Sequence, residues 1–207
     1  MKHTREIMME RHLKGRGIRH PAVLRAMEET AREAFVSDEL HGRAYDDRPL
    51  PIGNGQTISQ PYIVAYMTEQ LDPNPGDRVL EIGAGSGYQA AVLARIVREV
   101  ITVEIIPSLA EQARETLAKL GITNVTVHEG DGNEGWIEEA PYDGIIATAA
   151  PERIPPALRE QLARGGRMIL PVGPAGGIQV LKLLRRDERG ALHERELLEV
   201  RFVPMTR

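Results

Sequence analysis

Residues 78–94, Arg78-Val79-Leu80-Glu81-Ile82-Gly83-Ala84-Gly85-Ser86-Gly87-Tyr88 running on into Gln89-Ala90-Ala91-Val92-Leu93-Ala94, decide the fold. The apolar run over 78–83 reads as a buried strand, and 86–99 as a helix with Ala90, Leu93, Ala94 and Val97 on one face. Between them, three alternating glycines let the backbone pass close to a ligand. The pattern then repeats. A second strand is expected over 99–105, and a helix from Pro107, a favoured first-turn residue, to Leu120, with Gly121 as its stop. Further strands are expected over 124–131, 142–150 and 166–173, with a helix at about 155–163 before the last. Strands alternating with helices imply an α/β fold: a doubly wound, mostly parallel sheet that binds ligands at the carboxyl ends of its strands.

Both flanks depart from this pattern. Downstream, 178–186 and 191–204 around a turn at 187–190 read as an antiparallel hairpin on the sheet edge. Upstream, 4–14, 21–34 and 61–71 read as helices, whereas 44–61 is dense in Pro, Gly, Asn and Asp and breaks every period. A loop that long inside a compact domain is expected to be functional, and its apolar residues favour order. The chain thus reads as a single domain in three parts: a helical and loop extension over 1–75, a cofactor core over 76–173, and a hairpin and tail over 174–207.

Composition removes several classes. The absence of cysteine excludes disulfides, thiolate metal sites and a cysteine nucleophile, and fits a cytoplasmic setting. The six histidines show no metal-ligand spacing, so no metal is expected. A net charge of -4 with dispersed arginines argues against nucleic acid as a partner. No apolar run approaches the roughly 18 residues of a membrane span, and the polar opening does not read as a signal peptide.

The glycine turn discriminates among cofactors. A dinucleotide fingerprint would place a third glycine at 88, where Tyr88 stands, and no Gly-Lys-Ser/Thr ending supports a phosphate loop. An acid two residues before the first glycine suits a cofactor that presents an amino-acid end, because a carboxylate there can meet an ammonium. S-adenosyl-L-methionine, with S-adenosyl-L-homocysteine as its product, is such a cofactor. Glu104, at the end of the second strand, is placed to accept hydrogen bonds from both ribose hydroxyls. Asp131 and Gly132 end the third strand within reach of the adenine. Singly, these acids could be a strand residue, a helix N-terminal charge and a turn former. Three at successive strand ends, around one glycine turn, point to a cofactor site.

Residues 79–94, together with Pro49-Leu50-Pro51-Ile52-Gly53-Asn54-Gly55-Gln56-Thr57-Ile58-Ser59-Gln60-Pro61 and Arg201-Phe202-Val203-Pro204-Met205-Thr206, resemble the protein-L-isoaspartate O-methyltransferase family from about Gly17 onward. One departure is Thr30-Ala31-Arg32, where the family often has Val-Pro-Arg. The resemblance implies a Rossmann-like methyltransferase fold and a protein-repair activity. The methyl of S-adenosylmethionine would pass to the α-carboxyl of L-isoaspartyl residues, and the ester would then close to a succinimide on the way back to aspartate. It further implies that Ser59 is the active-site serine, that Gln56, Thr57 and Ile58 line the same crevice, and that Glu81, Gly83, Gly85, Gly87, Glu104, Asp131, Gly132 and Thr206 hold the cofactor. The implied partners are damaged proteins and peptides carrying isoaspartyl residues, with no nucleic acid, membrane or obligate protein partner.

This chemistry accounts for the lack of a convincing catalytic histidine. An α-carboxyl titrates near roughly 3.3–3.7, so it is already ionised at neutral pH and needs no base. Ser59 would orient it by donating a hydrogen bond. A plain helix-cap role for Ser59 is the alternative, but Pro61 at the first helical position would make Gln60 the cap. Trp136 and Tyr142 read as packing residues, with Tyr88 beside the cofactor turn. Nucleic-acid amino methylation would want Asn/Asp-Pro-Pro-aromatic where Ala147-Thr148-Ala149-Ala150-Pro151 stands, and no Gly-x-Ser-x-Gly surrounds any serine. A methyltransferase of another substrate, or a non-catalytic cofactor-binding module, stays open on the sequence. Asn54-Gly55, a deamidation-prone pair, lies inside the proposed substrate loop.

Overall fold

In the computed structural model, which describes residues 2–206, seven strands form one sheet in the order β5-β4-β3-β6-β7-β8-β9. These are β3 (Arg78–Ile82), β4 (Glu99–Glu104), β5 (Val125–Glu129), β6 (Tyr142–Ala147), β7 (Leu162–Val172), β8 (Gln179–Arg186) and β9 (Leu192–Val200). β3 to β7 run parallel, while β8 and β9 are antiparallel to their neighbours, so the expected edge hairpin is present. Strand order reverses at β3, which pairs with both β4 and β6. In sheets of this kind a crevice opens at such a reversal, beyond the carboxyl ends of the strands.

Strand side chains alternate between two cores. Val79, Val100, Ile146 and Ile169 face the larger one, built with α2 (Pro21–Glu29), α3 (Pro61–Leu71), α4 (Tyr88–Ala94) and α5 (Pro107–Lys119). Leu80, Ile101, Ile145 and Met168 face the smaller one, closed by α6 (Pro156–Gln161) through Leu158. Burial on both sides explains why the parallel strands read as continuous apolar runs. Alternation also puts Glu81 and Thr102 on the Val79 and Val100 side, where the strand register pairs them.

Several expected boundaries move. The first helix, α1 (Lys2–Ile7), passes into a π-helical turn over Met8–Leu13 and then a 3₁₀ turn over Lys14–Arg16. The segment expected as a helix over 21–34 stops at Glu29, and Arg32–Phe35 forms a separate 3₁₀ turn. The helix expected over 86–99 is confined to Tyr88–Ala94, since the backbone turns at Arg95 and the amides of Ile96 and Val97 both bond back to Leu93. β7 starts at Leu162, ahead of the expected 166, and takes a bulge so that Tyr142 pairs with Leu162 but Gly144 with Arg167. β9 ends at Val200, with the tail continuing to a parallel bridge between Pro204 and Ala150.

The loop over 44–61 is ordered as expected, but it contains a small hairpin, β1 (Leu50–Gly53) and β2 (Gln56–Ile58). Asn54 and Gly55 make its turn with φ of 52° and 70°, the left-handed geometry that favours Asn-Gly in two-residue hairpins. The hairpin delivers the chain to α3, where Pro61 takes the first position and Gln60 is the cap residue.

Candidate active site

Three adjoining cavities open at the carboxyl ends of β3, β4 and β6. The first is a groove of about 720 Å³ between the 49–63 segment and the tail, with Pro49, Ser59, Ile63, Ile178 and Phe202 on its walls. The second runs along Gly83, Gly85, Glu104, Ile106, Gly132 and Thr206. The third is a small polar recess around Ser59, Glu81, Ser86 and Gln89. Thr57 and Thr148 line all three and mark their junction.

The glycine turn is shaped by close approaches. Gly83, Gly85 and Gly87 have φ of 91°, 53° and 85°, where a side chain is strained. A Cβ on Gly83 would lie 2.7 Å from Thr148 Oγ1, the atom that donates to the Gly83 carbonyl at 2.6 Å. Glu104 fixes the turn from the other side: its Oε2 accepts from the Gly85 amide and its Oε1 from the Ile106 amide, both at 2.9 Å. Each oxygen can accept a further hydrogen bond, and Glu104 lines the second cavity.

Glu81 is the electrostatic centre of the recess. It is fully buried, and neither carboxylate oxygen has a protein partner. Burial pushes its carboxyl up to about 8, and the neighbouring Glu104 carboxylate adds to the rise. An unsatisfied buried carboxyl costs free energy until a cationic donor reaches it. The ammonium of an amino-acid ligand is such a donor, and the carboxylate of Glu104 sits one strand away, able to accept from a diol. The residues present therefore fit S-adenosylmethionine.

Ser59 lines both groove and recess, and among the described residues its hydroxyl makes no protein hydrogen bond. Its carbonyl accepts from Arg32 Nη2 at 2.7 Å, and Arg32 Nε donates to Ala44 O at 2.7 Å. The Arg32 guanidinium is completely buried, stacks 4.7 Å from the Tyr88 ring centroid, and is held below its usual pKa by that burial. Behind the serine, then, stands a rigid buried brace.

Of the residues expected from the sequence, Ser59, Gln56, Thr57, Ile58, Glu81, Gly83, Gly85, Glu104, Gly132 and Thr206 line these cavities. Two stand back. Gly87 packs against Ala113 and Leu117 of α5, and Asp131 spends Oδ1 on the amide and Nδ2 of Asn133, at 2.8 and 2.7 Å. Trp136 stacks on His128 with ring centroids 3.9 Å apart, and Tyr142 is fully buried, in keeping with packing roles. Thr148 and Arg32 were missed. Thr148 directly follows β6 beside the strand reversal, a position that the topology alone marks as facing ligand. Arg32 carries no comparable signal.

A Rossmann-like sheet with a glycine turn, a buried acid and a second glutamate lining a cavity at its carboxyl edge defines an S-adenosylmethionine-dependent methyltransferase. The comparisons with known proteins carry this further. The family described as protein-L-isoaspartate(D-aspartate) O-methyltransferase matches residues 3–207. Protein-L-isoaspartate O-methyltransferase 2 of Pelobacter propionicus is 54% identical over 203 residues, covering 98% of this chain and 90% of that protein. The enzyme of Anaeromyxobacter dehalogenans is 56% identical over 191 residues, covering 92% and 91%. A solved protein-L-isoaspartate O-methyltransferase superposes with a TM-score of 0.89 at 32% identity, covering 98% of this chain and 66% of that one. A Plasmodium falciparum structure with S-adenosyl-L-homocysteine gives 0.83 at 26% identity, covering 96% of each. The chain belongs to the protein-L-isoaspartate O-methyltransferase family, and its activity is that of a protein-repair methyltransferase.

Proposed function

We propose that Ser59 orients the isoaspartyl α-carboxylate in the groove, while Glu81, Glu104 and the Gly83–Gly85 turn would hold the cofactor in the adjoining channel. Bound there, S-adenosylmethionine supplies an electrophilic methyl on a sulfonium. The acceptor oxygen is ionised without help from the protein, so the site's work is alignment and exclusion of water. The Ser59 hydroxyl donates to one carboxylate oxygen and directs the other toward the junction. Arg32 holds the serine main chain from behind. Glu81 neutralises the cofactor ammonium, and Glu104 accepts from its ribose hydroxyls. Asp131, beside Gly132, keeps Oδ2 for the adenine end.

The single observation that carries this reading is the junction itself. The free Ser59 hydroxyl and the unpartnered Glu81 carboxyl open on one recess, with the groove on one side and the cofactor channel beside it. The three-part division supports it too: apart from Thr148, the groove is lined only by residues of 49–63 and 176–204. The acceptor's groove would then be built by the two flanks, which also close over the cofactor channel through Gln56, Thr57 and 203–206. Among the described residues no helix is long and apolar enough to cross a membrane and no three or more His, Asp or Glu gather as a metal site. The working partners are damaged proteins with isoaspartyl residues, met in the cytosol.

Ser59→Ala tests the assignment. Loss of a hydrogen bond to a charged group is worth about 1.5–3 kcal/mol, so turnover should fall about 10- to 100-fold. S-adenosylhomocysteine affinity should stay within about threefold, because uniform binding is untouched. Unchanged turnover would remove Ser59 from the mechanism. Labelled methyl transfer to paired peptides, differing only in isoaspartate against aspartate, should mark the first alone and give a base-labile ester.

A further inference from the structure

The chain holds three Asx-Gly pairs, in which no following side chain shields the main-chain nitrogen from the preceding Asn or Asp: Asn54-Gly55, Asp131-Gly132 and Asp143-Gly144. Two of them are locked. Asp131 is held by Asn133, and Gly132 is packed so closely that a Cβ would lie 2.3 Å from Ile82 Cγ2. Asp143 lies within β6, its Oδ2 accepts from the Arg78 amide at 2.8 Å, and Gly144 is wedged between Leu71 and Val79. The third pair is open. Asn54 and Gly55 are both exposed at the tip of the β1–β2 hairpin, and nothing lies within 4 Å of where a Gly55 Cβ would be. Among the described residues the Asn54 side chain has one restraint, a 3.2 Å bond from Nδ2 to Ser108 Oγ at the start of α5.

We propose that Asn54 is a deamidation site, and that its conversion to isoaspartate takes the enzyme's own substrate loop out of its working shape. The Gly55 main-chain nitrogen attacks the Asn54 side-chain carbonyl carbon. The bond to the amide nitrogen breaks, and that nitrogen leaves as ammonia with the proton given up by Gly55. Water then opens the resulting succinimide at one of its two carbonyls. Opening at the main-chain carbonyl leaves isoaspartate, which routes the backbone through the former side chain and lengthens it by one carbon.

A two-residue turn has no slack for that carbon. Gln56 and Thr57 follow at once and line the cofactor channel, Thr57 sits at the junction, and Ser59 lies two residues beyond. Register in such a hairpin is set by its turn, so a longer turn shifts all of them together. The loss of activity rests on assigning this loop to the active site; the conversion of Asn54 does not.

The test ages the full-length chain and an Asn54→Gly variant side by side at physiological temperature and mildly alkaline pH. Glycine accepts the same positive φ and has no amide to lose. At intervals, chromatography with mass spectrometry of the peptides spanning residues 54, 131 and 143, in which isoaspartyl and aspartyl forms separate by retention, gives the isoaspartate fraction at each, and methyl transfer to an isoaspartyl peptide gives activity. The parent should convert at 54 well ahead of 131 and 143, with activity falling about twofold when roughly half the chains carry isoaspartate there. The variant should hold its activity over the same period. Asparagine persisting at 54 while activity declines, or full conversion with activity intact, would overturn the proposal. If both fresh proteins fail to methylate the peptide, the substrate assignment falls instead, and mapping at residue 54 still decides the deamidation.

Discussion

Replacing Glu81 by glutamine should make the ligand-free enzyme more stable while crippling its affinity for cofactor. The Glu81 carboxyl is raised by burial from an ordinary 4.5 to about 8, so the folded state binds a proton that the unfolded chain releases. Stability conferred by the protonated form is therefore fully present below the unfolded value and is lost as pH rises from 4.5 toward 8. Each unit of that interval is worth about 1.4 kcal/mol, giving a penalty of about 3 kcal/mol at pH 7 and about 5 kcal/mol above pH 8. Glutamine has the same shape and no charge to desolvate. In a chain of this size about 1 kcal/mol moves Tm by roughly 2–4 °C, so the variant should melt about 10 °C higher near pH 8 and close to the parent near pH 5. Binding should show the reverse. In the parent only about a tenth of Glu81 is ionised at pH 7, so S-adenosylhomocysteine affinity should rise about fivefold between pH 7 and pH 8 and binding should release a proton. Melting curves across pH, with calorimetry in two buffers of different ionisation enthalpy, measure both effects. Equal Tm for parent and variant at pH 8, together with pH-independent binding, would refute the argument.

Two further substitutions probe the framework. Gly132→Ala drives a Cβ into Ile82 Cγ2 at the end of β3, and overpacking of this kind costs about 1–3 kcal/mol; calorimetric affinity for S-adenosylhomocysteine should fall, with recovery when Ile82 is cut back to Ala, which removes that Cγ2. Arg32→Met removes two charge-assisted bonds to main-chain carbonyls, worth about 1.5–3 kcal/mol each, and leaves Ser59 unbraced; peptide KM should rise and kcat fall while cofactor Kd stays near parent, whereas uniform losses in all three would indicate general unfolding.

Legibility from sequence followed how local the determining physics was. The parallel core could be read because buried strands and amphipathic helices write their period into a few consecutive residues, and the glycine turn because only glycine tolerates its φ values. α3 was bounded correctly at both ends because proline fixes the first turn. The segment after Glu29 was not: Thr30 and Ala31 do not forbid helix, and what ends it there is distant, Arg32 turning inward to meet Ala44 and Ser59. The β1–β2 hairpin hid for another reason. Pro51 and Gly53 spoil the strand alternation, although Asn54-Gly55 announces the turn. Glu81, Glu104 and Ser59 were legible as an acid, an acid and a serine at marked positions. Thr148 became a site residue only once the strand order placed it at the junction of three cavities.

The groove joins 49–63 to 176–204, segments separated by the whole cofactor core. On a ribosome that delivers the chain from its amino end, the core strands β3 to β7 can all emerge while the far wall of the groove is still unmade. One wall of the groove, 49–63, precedes the core, and the segment 203–206, tied to Ala150 through Val203 and Met205, is shared by the groove and the cofactor channel. A repair enzyme assembled in that order cannot complete either half of its site until residues 203–206 have emerged and docked.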